Sequence, residues 1–401
     1  MRVLFLAPHP FYRDRGTPID VLLVLKVLSG RGDTVVDVVT FHEGSDVELE
    51  NVSIRRIRAP RLLRGIRPGF SMKKLACDVL LFFMAWRMVR TGGYDFIHAD
   101  EESVFFAMFF KWFHGIPYAY DLDSSIAQQL VESRPALAPL SAMFGYPETR
   151  AIRGALINLP VCVELGRLCE SAGSRNTIVL HDISQLDGQP SGGIDLKGQL
   201  GIAGTLLLYA GNFEAYQGIE LLIDGFRLAV KECSDLYLAF VGGNDDDIRR
   251  YSERSAALGP VANVFFLGRK PIRELGAYLR GADIVVSPRV RGINTPMKTF
   301  AYLHSGRPLI ATDIVTHNQV LSKEHAMLVP PNPEGIADGI VKLARDPELR
   351  QRLAERGRAL VEANHTFDSH RKRVNRAYDW IESQLRGSRE DREQRELEES
   401  R

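Results

Sequence analysis

The segment SPRVRGINTPMKTFAYLHSGRPLIATD, running from Ser287 to Asp313, collects residue types suited to holding an anion. Asn294 and Thr295 are good helix caps, Pro296 suits a first helical position, and Lys298 then falls in the first turn. Amides at a helix start carry partial positive charge, so a lysine among them makes a site for a diphosphate. The plainer alternative is a capped helix with a solvated lysine. Two more loops carry glycines that let backbone approach a phosphate: YAGNFEAYQG, with Gly211, Asn212, Gln217 and Gly218, and VGGNDDD, with Gly242 and Gly243. Gly16 in PHPFYRDRGTPID is placed similarly, although it serves equally well as an ordinary turn residue.

A second group is acidic. His98, Asp100, Glu101 and Glu102 follow one apolar run, and Asp121 and Asp123 follow another. Such side chains hydrogen-bond a hydroxylated substrate, or they simply cap the helices that come next. His9 and His317 are loop histidines that read as structural. Cys77, Cys162, Cys169 and Cys233 are widely spaced with no CxxC pair, which indicates neither a zinc site nor a disulfide framework and points to a reducing, cytosolic compartment.

Short apolar runs alternating with helical stretches must position these residues. Strands are predicted at Met1–Ala7, Thr34–Phe41, Asp95–Ala99 and Pro117–Asp121, and again at Leu206–Ala210, Leu236–Val241, Asn263–Leu267, Asp283–Ser287 and Pro308–Thr312. Each is apolar throughout, as in parallel sheets covered by helices on both faces. Helices are predicted at Pro18–Gly30, Ser71–Arg90, Ser103–Phe113, Gly335–Asn364 and Asp368–Gln384. The Gly-, Ser- and Pro-containing stretch near 182–204 breaks the alternation and marks a domain boundary. The expected division is therefore an N-terminal Rossmann-like domain at 1–181, a linker at 182–204 and a second Rossmann-like domain at 205–365. A closing helix at 366–385 and a charged, disordered tail at 386–401 complete it.

The chain has 401 residues, 45% of them hydrophobic, with 51 Lys+Arg against 50 Asp+Glu. This is ordinary globular composition, and the absence of a basic excess argues against nucleic-acid binding. The average conceals one asymmetry. From Arg55 to Arg90 eight Arg and two Lys face a single acid, Asp78, and they alternate with bulky apolar residues such as Leu62, Phe70 and Phe83. That pattern suits either an anionic membrane surface or a solvated basic face beside a buried helix.

Taken in order, the motifs YAGNFEAYQGIELLIDGF, FVGG, VFFLGRKP, GADIVVSPR, PMKTFAYLHSGRPLIATD and AMLVPPNPEGIADGI resemble the nucleotide-sugar domain of family 4 glycosyltransferases. LFLAPHPFYRDRGTPID, FIHADEE and YAYDLDSS resemble their acceptor domain. The resemblance implies an α/β protein of GT-B fold, two Rossmann-like parallel-sheet domains facing across a cleft. It implies retaining transfer of a hexose from a UDP- or GDP-linked sugar, without metal or cofactor, to a glycan or lipid-linked acceptor. Read together with the loops above, the expected donor-binding residues are Gly16, Gly211, Asn212, Gln217, Gly243, Asn294, Thr295 and Lys298, and the expected catalytic or ligand residues are His98, Asp121 and Asp123. The expected location is cytoplasmic, with peripheral attachment to the inner membrane face as an option. The chain departs from the family where an Arg and a Lys are usual, at Asn212 and Gln217, and where a Glu-x(7)-Glu pair is usual, at Ile293 and Ala301. These departures leave open a nucleotide-sugar epimerase of the same fold or a non-catalytic binding protein.

Overall fold

A computed structural model describes residues 1–13, 16–66, 71–125, 141–186, 192–257 and 263–399. The chain divides into one unit of Met1–His181 with His370–Arg401 and another of Asp182–Ser369.

The first unit is built on a six-stranded parallel sheet in the order β3-β2-β1-β4-β5-β6. Its strands are β1 (Arg2–Ala7), β2 (Val35–Thr40), β3 (Val52–Arg56), β4 (Phe96–Asp100), β5 (Tyr118–Leu122) and β6 (Ile157–Pro160). The helices are α1 (Gly16–Ser29), α2 (Met72–Gly92), α3 (Val104–His114), α4 (Ser141–Gly154) and α5 (Val163–Ser171). Val3 through Ala7 are completely buried, because α2 and α3 pack on one face of the sheet while the closing helix covers the other. Ser71 caps α2 by accepting from the Lys74 amide at 3.1 Å, and Gly93, with φ of 59°, ends it.

The second unit repeats the plan in the order β12-β11-β10-β7-β8-β9. Its strands are β7 (Thr205–Gly211), β8 (Leu236–Gly242), β9 (Val264–Phe266), β10 (Ile284–Ser287), β11 (Leu309–Thr312) and β12 (Met327–Val329). Before, between and after them come α6 (Leu196–Leu200), α7 (Ile219–Glu232), α8 (Asp245–Ala257), α9 (Leu275–Arg280), α10 (Met297–His304), α11 (Val315–Asn318), α12 (Pro333–Arg345) and α13 (Pro347–Asn364). Along β7, Leu207 and Tyr209 enter one apolar core while Leu206, Leu208 and Ala210 enter the other. This period of two, with both faces buried, is why the strand reads as one unbroken apolar run.

The α/β fold class matches expectation, and the structure adds β3, β6 and β12. β3 and β12 are partly exposed edge strands and β6 ends in Pro160, so none carries a strong apolar signal. The helix predicted across Gly335–Asn364 is two, because Pro347 opens a new helix with Asp346 as its cap. The expected linker is partly structural: Leu186 and Leu196 lie in the apolar core of the second unit, while residues 187–191 fall outside the described ones. The closing helix, α14 (Phe367–Glu399), turns Val374, Ala377, Tyr378 and Ile381 into the first unit. It continues through Glu399, where a disordered tail at 386–401 was expected.

Tyr302 ties helix α10 to β7. The Tyr302 hydroxyl donates to the Ala210 carbonyl at 2.6 Å and accepts from the Ala210 amide at 2.7 Å, all within the buried core. Tyr302→Phe is expected to lower the stability of the second unit by roughly 1–3 kcal/mol, since it leaves two buried backbone groups without that partner. Urea unfolding measures this, and an unchanged midpoint would show that the tie carries no stability.

Candidate functional site

In both sheets the strand order reverses at one place, between β1 and β4 and between β7 and β10. Loops leaving the carboxyl ends of those strands diverge, and the gap between them is where open α/β sheets hold ligands. The chemistry-bearing residues of each unit lie at these two points.

In the second unit, Gly218 at the start of α7 has φ of 73°, and a Cβ there would lie 2.0 Å from the Pro288 carbonyl oxygen. The loops after β7 and β10 therefore touch, and only glycine permits it. Lys298, from the first turn of α10, reaches back into this junction. Its Nζ donates to Gln217 Oε1 at 2.6 Å and to Tyr209 Oη at 2.9 Å, and lies 4.2 Å from the centre of the tyrosine ring. A Cβ on Gly211 would come within 3.2 Å of the same nitrogen. Lys298 forms no ion pair among the described residues, and its partners there are a phenol and an amide. Burial, reinforced by the charge of Arg289, pulls its pKa well below the ordinary lysine value.

The starts of the neighbouring helices differ in kind. Asn244 and Asp247 close α8 reciprocally, through Asn244 Oδ1 on the Asp247 amide at 2.8 Å and Asp247 Oδ2 on the Asn244 amide at 3.1 Å. Three acids also occupy its first turn. At α10 no side chain caps the helix and no acid occupies the first turn. Asn294 and Thr295, expected as caps, do not serve as such. Asn294 Oδ1 accepts from Arg289 Nη2 at 3.0 Å, and among the described residues the buried Thr295 Oγ1 has no hydrogen-bond partner, nor has the buried Thr299 Oγ1 one turn on. The helix begins a residue later than expected, with Pro296 at its cap, so its first amides have neither an intrahelical acceptor nor a side-chain cap.

The structure brings Gly211, Gln217 and Lys298 together, with Asn294 and Thr295 on the adjoining loop. Asn212 is exposed beside them, and its carbonyl accepts from Tyr209 Oη at 2.5 Å. Gly243, with φ of 74°, packs where a Cβ would stand 2.6 Å from the Phe213 ring. Gly16 sits at the start of α1 in the other unit, with nothing within 4 Å of the Cβ it lacks, so no steric demand for glycine arises there. Of the departures from the family pattern, Ala301 is wholly buried in the apolar core and Ile293 offers only its carbonyl, to Gln319. His317 is held at Nε2 by Ser287 Oγ at 3.0 Å and at Nδ1 by the Thr312 carbonyl at 2.8 Å. Burial drops its pKa to about 4, which keeps it neutral and structural.

In the first unit, His98 is enclosed completely. Its Nε2 meets Asp121 Oδ2 at 2.9 Å and its Nδ1 meets Tyr378 Oη at 2.8 Å, and its ring stacks on Phe5 at 4.2 Å. Expected as a ligand, it is instead a strut joining β4, β5 and α14. His9, read from sequence as structural, stands at the switch point with Nε2 3.2 Å from Asp100 Oδ2. Glu101 follows with φ of 46°, a left-handed turn that costs a non-glycine residue roughly 1 kcal/mol. Burial and then the charge of Asp123 hold the Asp100 carboxyl well above its usual range, and burial with Glu102 raises Glu101 to about 7. Lys74 offsets part of this negative charge, with Nζ 2.5 Å from Glu102 Oε1. Among the described residues no group of three or more His, Cys, Asp or Glu is arranged to hold a metal ion.

Sequence reasoning missed Arg289, Tyr209 and Tyr216. Arg289 follows β10, is 7% exposed, and stacks over Tyr216 at 5.1 Å while its Nε donates to the Arg291 carbonyl at 2.9 Å. The available signal was the Ser-Pro-Arg turn ending a strand at the switch point.

Residues 204–346 match the family described as glycosyl transferases group 1. A phosphatidyl-myo-inositol mannosyltransferase from Mycobacterium leprae is 29% identical over 181 residues, a stretch covering 44% of this chain and 43% of that protein. The matched stretch thus spans less than half the length of this curated relative. Among solved structures, sucrose-phosphate synthase from Thermosynechococcus elongatus superposes with a TM-score of 0.77 at 20% identity, covering 95% of this chain and 99% of that one. HepE from Anabaena, solved in complex with UDP, superposes with a TM-score of 0.70 at 16% identity, covering 94% and 100%. Both likenesses concern the fold. Sequence in the second unit and fold in both therefore agree: residues 204–346 are similar to the glycosyl transferases group 1, and both units share their fold with these solved structures.

Proposed function

We propose that the protein is a metal-independent, retaining glycosyltransferase that moves a hexose from a UDP- or GDP-linked sugar to a glycan or lipid-linked acceptor. The observation that carries this reading is Lys298, held by neutral partners at the uncapped start of α10 and at the switch point of its sheet. The fold shared with a UDP-bound structure and the mannosyltransferase likeness support it.

In this reading the bond between the sugar C1 and the diphosphate oxygen breaks, and the acceptor oxygen forms a new bond to C1 on the same face. The acceptor proton passes to the departing phosphate. Developing charge on that phosphate is met by Lys298, by the first amides of α10, and by Thr295, Gln217 and Asn212. Gly211 and Gly243 allow close backbone approach, and Arg289 positions Asn294. Asp123 and Asp121 of the first unit orient a sugar or acceptor hydroxyl, with His98 fixing Asp121 in place. We place the protein in the cytoplasm, working on an acceptor presented at the inner membrane face.

A second reading, a non-catalytic sugar-nucleotide-binding protein, draws on Ala301. The position that carries a ribose-binding carboxylate in relatives is core here. Transfer of radiolabelled sugar to any lipid or glycan acceptor eliminates it.

Calorimetric titration with UDP- and GDP-sugars tests the site. Lys298→Ala is expected to weaken the preferred donor roughly 10- to 100-fold, the range for losing a charged hydrogen bond. In the pH range between the depressed Lys298 pKa of the free protein and its higher value beside a diphosphate, donor binding should also take up protons. The apparent binding enthalpy must then vary with the buffer's ionisation enthalpy, and unchanged affinity in the variant refutes the assignment.

The same depression has a consequence for stability. The unfolded chain binds a proton at Lys298 up to its ordinary value of 10.5, while the folded chain releases it at lower pH. Between those values the unfolded state holds more protons, so this residue's destabilising effect fades as pH rises toward 10.5. Lys298→Met is expected to be more stable than the parent at pH 7 in urea unfolding, with the difference shrinking toward pH 10. A less stable variant would mean that the lysine's hydrogen bonds outweigh its burial.

A further inference from the structure

One face of the first unit is apolar and basic at once. Eleven large apolar residues are exposed among the described residues, and seven lie on the Arg61–Leu63 turn, on α2 and at the end of α3. Such clustering marks an interaction site, whereas single exposed residues need no explanation. Helix α2 buries Cys77, Leu81, Ala85 and Val89 and so turns Met72, Leu75, Val79 and Phe83 outward. The outward row is continued by Arg87 and Arg90, and the helix is about 30 Å long.

Rings link this row to α3. Phe83 lies 6.2 Å from Trp86, Trp86 6.2 Å from Phe109, Phe109 4.3 Å from Phe113, and Phe113 4.8 Å from Trp112. Trp112 is 82% exposed and Phe113 57%. A groove of about 250 Å³ bordered by Phe83, Trp86, Arg87, Arg90 and Thr91 lies along the band.

The charge on this face has one sign. Arg61, Arg64, Lys73, Arg87 and Arg90 are exposed along it. The only acid from Arg55 to Arg90 is Asp78, whose Oδ1 is buried; burial and then Glu102 raise its pKa to about 8. No acid occurs from Ser103 to Tyr120. The structure also narrows the basic segment read from sequence. Arg55 is engaged by Asp37 at 2.9 Å, Arg56 by Asp46 at 3.0 Å and Lys74 by Glu102, while Arg67 and Phe70 lie outside the described residues.

We propose that α2 and the tip of α3 form a docking face for an anionic lipid surface, with Trp112 and Phe113 entering the headgroup boundary and the arginines resting on lipid phosphates. Aromatic side chains beside cations on an exposed helix face are what interfacial binding requires. No helix among the described residues is long and apolar enough to cross a membrane, so this contact lies in the interface. A protein partner would have to cover an apolar row edged with arginines by an equally acidic surface, whereas a bilayer supplies both features in one plane. The face shares no residue with the anion site of the second unit, so the proposal stands whether or not sugar transfer is the activity.

Sedimentation with vesicles of phosphatidylcholine, with and without phosphatidylglycerol, tests it. The full chain is expected to bind the anionic vesicles at least about tenfold more tightly than the neutral ones, with the preference falling at high salt. Trp112→Ser with Phe113→Ser should lower binding to anionic vesicles about tenfold, and Arg87→Glu with Arg90→Glu should remove the preference. All four side chains are exposed, and urea unfolding checks that the variants keep their fold. Tryptophan emission should shift to the blue on vesicle addition, and the shift should shrink in Trp112→Phe. Equal binding to both vesicle types, or full binding by the variants, overturns the proposal. So does dimerisation in the absence of lipid that Trp112→Ser abolishes, which would assign the face to a second copy. Nucleotide titration on the same variants should be unchanged, so loss of vesicle binding and loss of donor binding report separately.

Discussion

A cation placed in a protein wall needs either an opposing charge or well-aimed dipoles, and Lys298 has dipoles. The phenol of Tyr209 and the amide of Gln217 satisfy two of its protons without neutralising it. Everything that brings them there depends on α10 staying docked at the end of β7, which Tyr302 ensures by bonding both backbone groups of Ala210. The result is a partly desolvated ammonium whose charge burial disfavours, and in the proposed function a phosphate would offset that cost.

Both sheets follow one design, with the same strand order and the same reversal, yet they present opposite electrostatics. At the β7/β10 reversal are Lys298, Arg289 and an uncapped helix start; at the β1/β4 reversal are Asp100 and Glu101, with His9 against Asp100 and the charge of Asp123 acting on it. Topology explains why chemistry collects at these points, since diverging loops leave backbone and side chains facing open space. It does not fix which charge collects there, and that is set by a few residues in two loops per unit. A basic site beside one sheet and an acidic one beside the other suit a phosphorylated donor and a hydroxylated acceptor.

Much of this was legible in sequence. The buried strands announced themselves because burial on both faces demands unbroken apolar runs, and Lys298, Gln217 and Gly211 stood in loops following such runs. Edge strands such as β3 escaped because half-exposed residues weaken the signal. His98 was misjudged for a different reason: its partners, Asp121 and Tyr378, are 23 and 280 residues away along the chain, and only folding shows that they enclose it. Arg289 was passed over because its neighbours in sequence resemble an ordinary turn. The Arg55–Arg90 segment read as one basic block, whereas pairing with Asp37, Asp46 and Glu102 is a tertiary property that withdraws three of its charges. The exposure of the aromatic tip of α3 is likewise a tertiary property, since apolar composition does not reveal which turn of a helix outruns its neighbours.

The central claim is that the start of α10 with Lys298 holds a nucleotide diphosphate, and diffraction from crystals soaked with UDP tests it directly. The account predicts phosphate density within hydrogen-bond distance of Lys298 Nζ and the amides of Met297 and Lys298, with Thr295 Oγ1 gaining a partner. Nucleotide density elsewhere in the second unit, with Lys298 still bonded only to Tyr209 and Gln217, would contradict it.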